Sequence, residues 1–238
     1  MTSKTALTAA VKAFDWAAVD AGLAARPALA GVRDKRGRNW LHLTCATELK
    51  GRDPAASIRT ADVVLARGVD LADHAFTEGA WKATPVWFCV SRGRNPALAE
   101  HILKRGADPN YALFAACWND DVEAIDLLIR YGADVDDASV PGETPLQGAV
   151  GWSKWKGVDA LARHGADVNR PNGKGQTPLH MMLKKDSPIE AFEMLAGHGA
   201  RGDIAGPDGQ TAAEIMARKK DPRFKALAAR LAQPARPC

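Results

Sequence analysis

The 238 residues carry 46% hydrophobic and 25% charged side chains and a formal net charge of +4, the balance of a chain that buries a core. No stretch approaches the roughly 18 apolar residues of a membrane span, and Lys12, Asp15 and Asp20 interrupt the place where a signal peptide would hold its apolar core. A cytoplasmic chain that engages no membrane is therefore expected. The four cysteines form no CxxC pair and stand at no zinc-finger spacing from a histidine, which points away from a disulfide framework or a metal centre. Cys45, Cys89 and Cys117 fall in helical stretches as small packing side chains, and Cys238 is expected as a free, exposed thiol.

In chain order, residues 7–25 read as two short helices stopped by Pro27, with Leu7, Val11, Phe14, Val19 and Leu23 at helical spacing. Residues 34–43, DKRGRNWLHL, open a second unit whose second helix is predicted over 57–67 and ends at Gly68. Leu41 to Gly68 spans 27 residues where Leu146 to Gly165 spans 19, so an insert within 48–56 is expected to bulge from the turn between the helices. The third unit opens its helices at Thr84-Pro85 and Asn95-Pro96. A fourth is short at its start: Asp134 to Thr144 and Asp167 to Thr177 are each 10 residues, but Asp108 to Tyr111 is 3. The fifth and sixth units, GETPLQ from Gly142 and GQTPLH from Gly175, form a regular pair, and Pro145 to Pro178 is a step of 33. A last unit opens GQTAAEIMA at Gly209, and 234–238 is predicted as a flexible tail.

The local chemistry of the unit is legible. Thr84, Thr144 and Thr177 can N-cap helices, and the Pro after each suits the first helical position. Ser187-Pro188-Ile189-Glu190 offers an N-cap, a first-position Pro and a capping-box Glu. Gly132 and Gly165 follow apolar helix ends, where a left-handed residue stops the helix. Each unit exposes an apolar face, such as Ile125, Leu127 and Leu128, that only a neighbouring unit can cover.

A period near 33 with TPLH-type lettering resembles the ankyrin-repeat family. The resemblance implies an all-α repeat solenoid: an ankyrin array of about seven helix-turn-helix units, degenerate caps included, with short β-hairpin loops. It implies one domain over 1–233, divided at 1–30 (N-terminal cap), 31–72, 73–108, 109–135 (shortened), 136–169, 170–202 and 203–233 (C-terminal cap). His42 and His180 occupy the histidine of the TPLH motif, which in the family hydrogen-bonds hairpin backbone. No GxSxG, GxxxxGK[ST] or HExxH is present, so no catalytic, cofactor-binding or metal-binding residue is expected.

The family binds partners with its hairpin tips and the exposed side of each first helix, which line a concave groove. Carried over by motif, those positions give Lys35, Arg36 and Arg38, then Trp81, Ala83, Ser91 and Arg92. They continue with Trp118 and Asn119, Glu143 and Trp152, then Lys174, Gln176, Lys184 and Lys185. Arg218 and Lys219 close the set, with Asp208 and Gln210 beside them. Nine of these are basic and two acidic, a larger imbalance than the whole chain carries. The expected partner is a protein with an acidic surface, held through aromatic anchors and flanking cations by a chain that is monomeric when free. The absent hairpin before Tyr111 is expected to leave a notch flanked by Trp81 with Trp118 at its floor, and the short fourth unit to be the weak joint of the array.

Three competing readings stand beside this one. The charges are merely solvated, with Trp87 and Trp155 in the core; or the basic and aromatic residues hold nucleic acid; or the 48–56 insert carries a cofactor or an enzymatic site. The Ala-, Arg- and Gly-rich composition resembles bacterial proteins, among which the family includes inhibitors and toxin-neutralising immunity proteins.

Overall fold

The computed structural model describes residues 3–78, 81–137 and 142–232. Within them the helices fall into seven successive pairs. The pairs are α1 (Lys4–Ala13) with α2 (Trp16–Ala25), α3 (Trp40–Ala46) with α4 (Pro54–Ala66), and α5 (Pro85–Phe88) with α6 (Pro96–Lys104). Next come α7 (Leu113–Asn119) with α8 (Val122–Arg130), α9 (Pro145–Gly151) with α10 (Trp155–Arg163), α11 (Pro178–Lys184) with α12 (Ile189–Gly197), and α13 (Ala212–Ala217) with α14 (Pro222–Leu231). One short hairpin is built of β1 (Thr77–Glu78) and β2 (Trp81–Lys82), pairing Thr77 with Lys82 and Glu78 with Trp81. This is the expected all-α repeat. The tail at 234–238, Cys238 included, lies outside the described residues.

The chain forms two compact units, one of residues up to Ala116 with Asp126–Ala133, the other of Cys117–Ile125 with residues from Asp134 onward. In the first unit α1 packs on α3 and α3 on α5, while α2 packs on α4 and α4 on α6. The second unit repeats the pattern: α9 on α11 on α13, and α10 on α12 on α14. Like helices thus cover like helices, and the side chains that no single pair could bury (Leu41, Ile102, Leu146, Leu161, Phe192) are fully enclosed.

The caps follow from the sequence. Thr144 Oγ1 accepts the Gln147 N–H (3.3 Å) while Gln147 Oε1 accepts the Thr144 N–H (2.9 Å), a reciprocal capping box. Thr84 caps α5 through the Trp87 N–H (3.3 Å). Thr177 holds the cap conformation, but its hydroxyl meets His180 Nδ1 (2.7 Å), leaving His180 Nε2 to donate to the Gln210 carbonyl (3.1 Å). Gly132 and Gly165 end α8 and α10 at φ of 92° and 86°.

Two expectations are corrected. The insert at 48–56 does not bulge throughout: Asp53 caps a helix that begins at Pro54, so its second half lengthens α4 to 13 residues. Its first half is tied down by Arg52, whose guanidinium donates to the carbonyls of Leu49 (3.1 Å), Lys12 (2.6 Å) and Glu48, and lies 4.5 Å from the Phe14 ring centre. Ser187 does not cap α12. Pro188 takes the cap position without a side-chain bond, and the Ser187 hydroxyl is buried with no partner.

The third pair also contains a widened turn. Thr84 to the left-handed Arg94 spans ten residues, whereas Thr144 to Ser153 and Thr177 to Asp186 span nine. The extra residue is absorbed as a π-helical turn over Cys89–Gly93, after which Asn95 caps α6 through the Leu98 N–H (3.1 Å). Gly93 is required there, because a Cβ would lie 2.1 Å from the Cys45 carbonyl oxygen.

Candidate partner-binding surface

The first hairpin tip is a self-contained loop. Asp34 Oδ1 accepts the N–H groups of Arg36 (2.8 Å) and Arg38 (3.0 Å), and Asp34 Oδ2 pairs with the Arg38 guanidinium at 2.7 Å. Although partial burial raises the Asp34 pKa, these bonds outweigh it and hold the carboxyl below its usual range. Arg38 is therefore neutralised within its own loop. Lys35 and Arg36 are exposed, and their side chains have no ion-pair or hydrogen-bond partner among the described residues.

Beyond the tip lies a cleft of about 620 Å³. Lys35, Arg36, Arg38 and Arg92 stand around it, Ala46 and Ala75 line its sides, and Phe76, Trp87 and Phe88 give it an aromatic face. The rings are packed edge to face: Trp87 lies 4.8 Å from Phe88, 5.1 Å from Trp81 and 6.4 Å from Phe76. Phe76 keeps 43% of its surface exposed. Arg92 reaches the cleft from the π-helical turn and is unpaired among the described residues.

Trp81 is turned onto its own unit. A 3-10 turn, Asn110–Ala112, takes the place of the missing hairpin, and the Trp81 indole N–H donates to the Tyr111 carbonyl at 3.1 Å. Trp81 is half-buried, and Ala83, expected at the tip, is fully buried. Trp87, placed in the core by one competing reading, lines the cleft. Phe76 was not anticipated; its place eight residues past the helix-ending Gly68 carries no motif.

In the second unit Trp118 ends α7 with 57% of its surface exposed, and its ring meets Trp152, the half-buried C-cap of α9, at 4.9 Å. Asn119 follows Trp118 and is half-buried, as is Glu143 before the Thr144 cap. The tip at 172–176 repeats the first: Asn172 Oδ1 accepts the N–H groups of Lys174 and Gln176 at 3.0 Å each. Lys174 and Lys184 are exposed and unpaired among the described residues. The other predicted cations are engaged: Lys185 donates to the Gly151 carbonyl, Arg218 to Gln210 (2.9 Å), and Lys219 pairs with Asp186 at 2.6 Å.

Groups able to do chemistry do not converge. His42 sits between helices with its Nδ1 accepting the Asn39 N–H (3.3 Å); burial pushes its pKa down to about 4. His101 and His198 pair with Asp62 (2.7 Å) and Asp159 (2.8 Å). Cys45, Cys89 and Cys117 are buried, and burial pushes the Cys89 and Cys117 thiols up, away from the reactive thiolate. Among the described residues no group of three or more His, Cys, Asp or Glu is placed to hold a metal, and no helix is long and apolar enough to cross a membrane.

Residues 86–172 match the family model for ankyrin repeats (three copies). The structure is similar to the human ASB11 ankyrin repeat domain, at 22% identity and a TM-score of 0.70, over 96% of this chain and 99% of that one. It is similar to the ankyrin repeat domain of Bcl-3, at 20% identity and a TM-score of 0.75, over 94% and 97%. An ankyrin repeat domain from Acinetobacter baumannii matches at 19% identity and 0.64, over 80% and 96%. No curated protein matches the chain. The helix pairs, capped turns and motif histidines define a helical repeat array. With the family match over residues 86–172, the chain contains ankyrin repeats and has the ankyrin-repeat fold. Ankyrin repeat domains are generally non-catalytic protein–protein interaction modules.

Proposed function

We propose that the chain is a non-catalytic binding module for a protein with an acidic surface, acting as an inhibitor or neutraliser of that partner. The observation that carries this reading is the set of unpaired cations on hairpin tips and first-helix ends: Lys35, Arg36, Arg92, Lys174 and Lys184. A folded chain commonly pairs such charges with its own carboxylates, as Arg67 does with Asp20 and Arg105 with Asp62. Cations left unpaired beside exposed aromatic rings suit a partner that supplies the carboxylates and covers the rings. In this reading the chain works in the cytoplasm as a monomer until it meets its partner.

The test is capture from the native cell on the immobilised full chain, then affinity measurement with the purified partner. Reversing Lys174 and Lys184 to Glu together should weaken binding by about tenfold or more, which corresponds to about 1.4 kcal/mol. It should also flatten the dependence of affinity on salt. A partner held equally tightly by the reversed chain would sink the acidic-partner reading.

A further inference from the structure

We propose that the cleft between the first hairpin tip and α5 binds a short acidic segment of a partner protein. One aromatic side chain of that segment sits against Trp87 and Phe88, with neighbouring carboxylates on Arg36 and Arg92. This rests on the protein-binding reading above and gives it a specific seat.

Charge and shape select this occupant together. Among the described residues no carboxylate lines the cleft, and of its four cations only Arg38 is neutralised there, by Asp34. The neighbouring hollow beneath Gly31 and Gly68 shows the contrast: there Arg33 and Arg67 stand with Asp70 and Asp73, and Arg33 pairs with Asp73. That hollow satisfies its own charge, whereas the cleft does not. Its volume of about 620 Å³ falls within the roughly 300–1,000 Å³ typical of pockets that enclose a compact ligand, room for one ring and a short length of backbone.

The ring geometry favours a peptide over single-stranded nucleic acid. Bases stack on open, parallel aromatic faces. Here the rings are inclined by 57° to 81° to one another, so they offer edges and half-covered faces rather than a stacking platform. A further aromatic side chain can join such a cluster edge to face. The π-helical turn adds a second line of support. It leaves the Ser91 hydroxyl buried without a partner, a local cost that stability alone does not favour, and it presents Arg92 at the cleft.

The experiment uses the full chain and a rhodamine-labelled peptide, Glu-Asp-Phe-Glu-Asp, read by fluorescence anisotropy. Controls are the same peptide with Ala for Phe, its amide counterpart Gln-Asn-Phe-Gln-Asn, and an oligothymidylate of similar length. The acidic aromatic peptide should bind, with both peptide controls weaker by about tenfold or more. R36E and R92E should abolish its binding, Phe76→Ser should weaken it severalfold, and Lys225→Glu should leave it unchanged. These positions are exposed, and melting curves confirm the fold of each variant. Binding that ignores R92E, an amide peptide that binds as well, or an oligothymidylate that displaces the peptide would each overturn the proposal. A captured partner sensitive to Lys174 and Lys184 but not to Arg92 would sink the cleft and leave the binding-module reading standing.

Discussion

At the scale of the residue, His42 shows how the repeat motif fixes a titration. The imidazole is enclosed among α3, Asn39 and Phe88, and its Nε2 closes no hydrogen bond. Held neutral, it resists protonation until pH falls to about 4, whereas the unfolded chain protonates it near its ordinary 6.5. The unfolded state therefore binds more protons between those values, and the fold loses stability as pH drops from about 6.5 to about 4. The shift corresponds to about 3 kcal/mol. Urea unfolding followed from neutral pH down to pH 4.5 should show this fall, and His42→Gln should flatten it. An unchanged slope would mean another group carries the acid sensitivity. Asp73 adds a loss at lower pH: burial raises its pKa, but bonds from Arg33 and Asn39 outweigh that and keep it depressed.

Among elements, the two departures from the regular unit behave differently. The insert before α4 is a strut. Arg52 satisfies the Lys12 carbonyl at the end of α1 and covers Phe14, so Arg52→Ala should cost about 1–2 kcal/mol by chemical denaturation. A neutral substitution would mean the insert is free of α1. The π-helical turn is a delivery device. Deleting Ser91 should restore the nine-residue spacing of the other units and remove a buried orphan hydroxyl, so the melting temperature should hold or rise. The same deletion swings Arg92 around the helix axis, and peptide binding at the cleft should be lost. Retained binding in the deletion variant would separate the turn from the site.

For the whole molecule, the fold was written plainly in the sequence because capping and periodicity are local. Thr-Pro starts and helix-ending glycines each act within a few residues, the 33-residue step repeats them, and His180 bonds backbone of the following unit at Gln210. The candidate site was legible only in part. The sequence pattern put Lys35, Arg36 and Arg92 on the surface, but Phe76 and Trp87 join them through packing between hairpin and helix, which no motif encodes. Trp81 departs because a 3-10 turn replaces the hairpin before Tyr111 and offers its indole a carbonyl, and Ser187 because the cap position of α12 falls one residue later, on Pro188. The division into two units runs through the α7–α8 pair, the one without a hairpin. Its amides should exchange with solvent faster than those of α9 to α12; uniform protection across these helices would contradict a weak fourth pair.

The second helices α6, α8, α10 and α12 are each nine residues long, while the additions and losses from α5 onward fall at turns, hairpins or first helices. A change of length at those places is absorbed where it occurs and leaves later repeats in phase. The 3-10 turn at Asn110–Ala112 then becomes an engineering address. A seven-residue finger grafted before Tyr111 would restore the common repeat length and free the Trp81 indole, giving the chain a new contact loop without redesign of any helix.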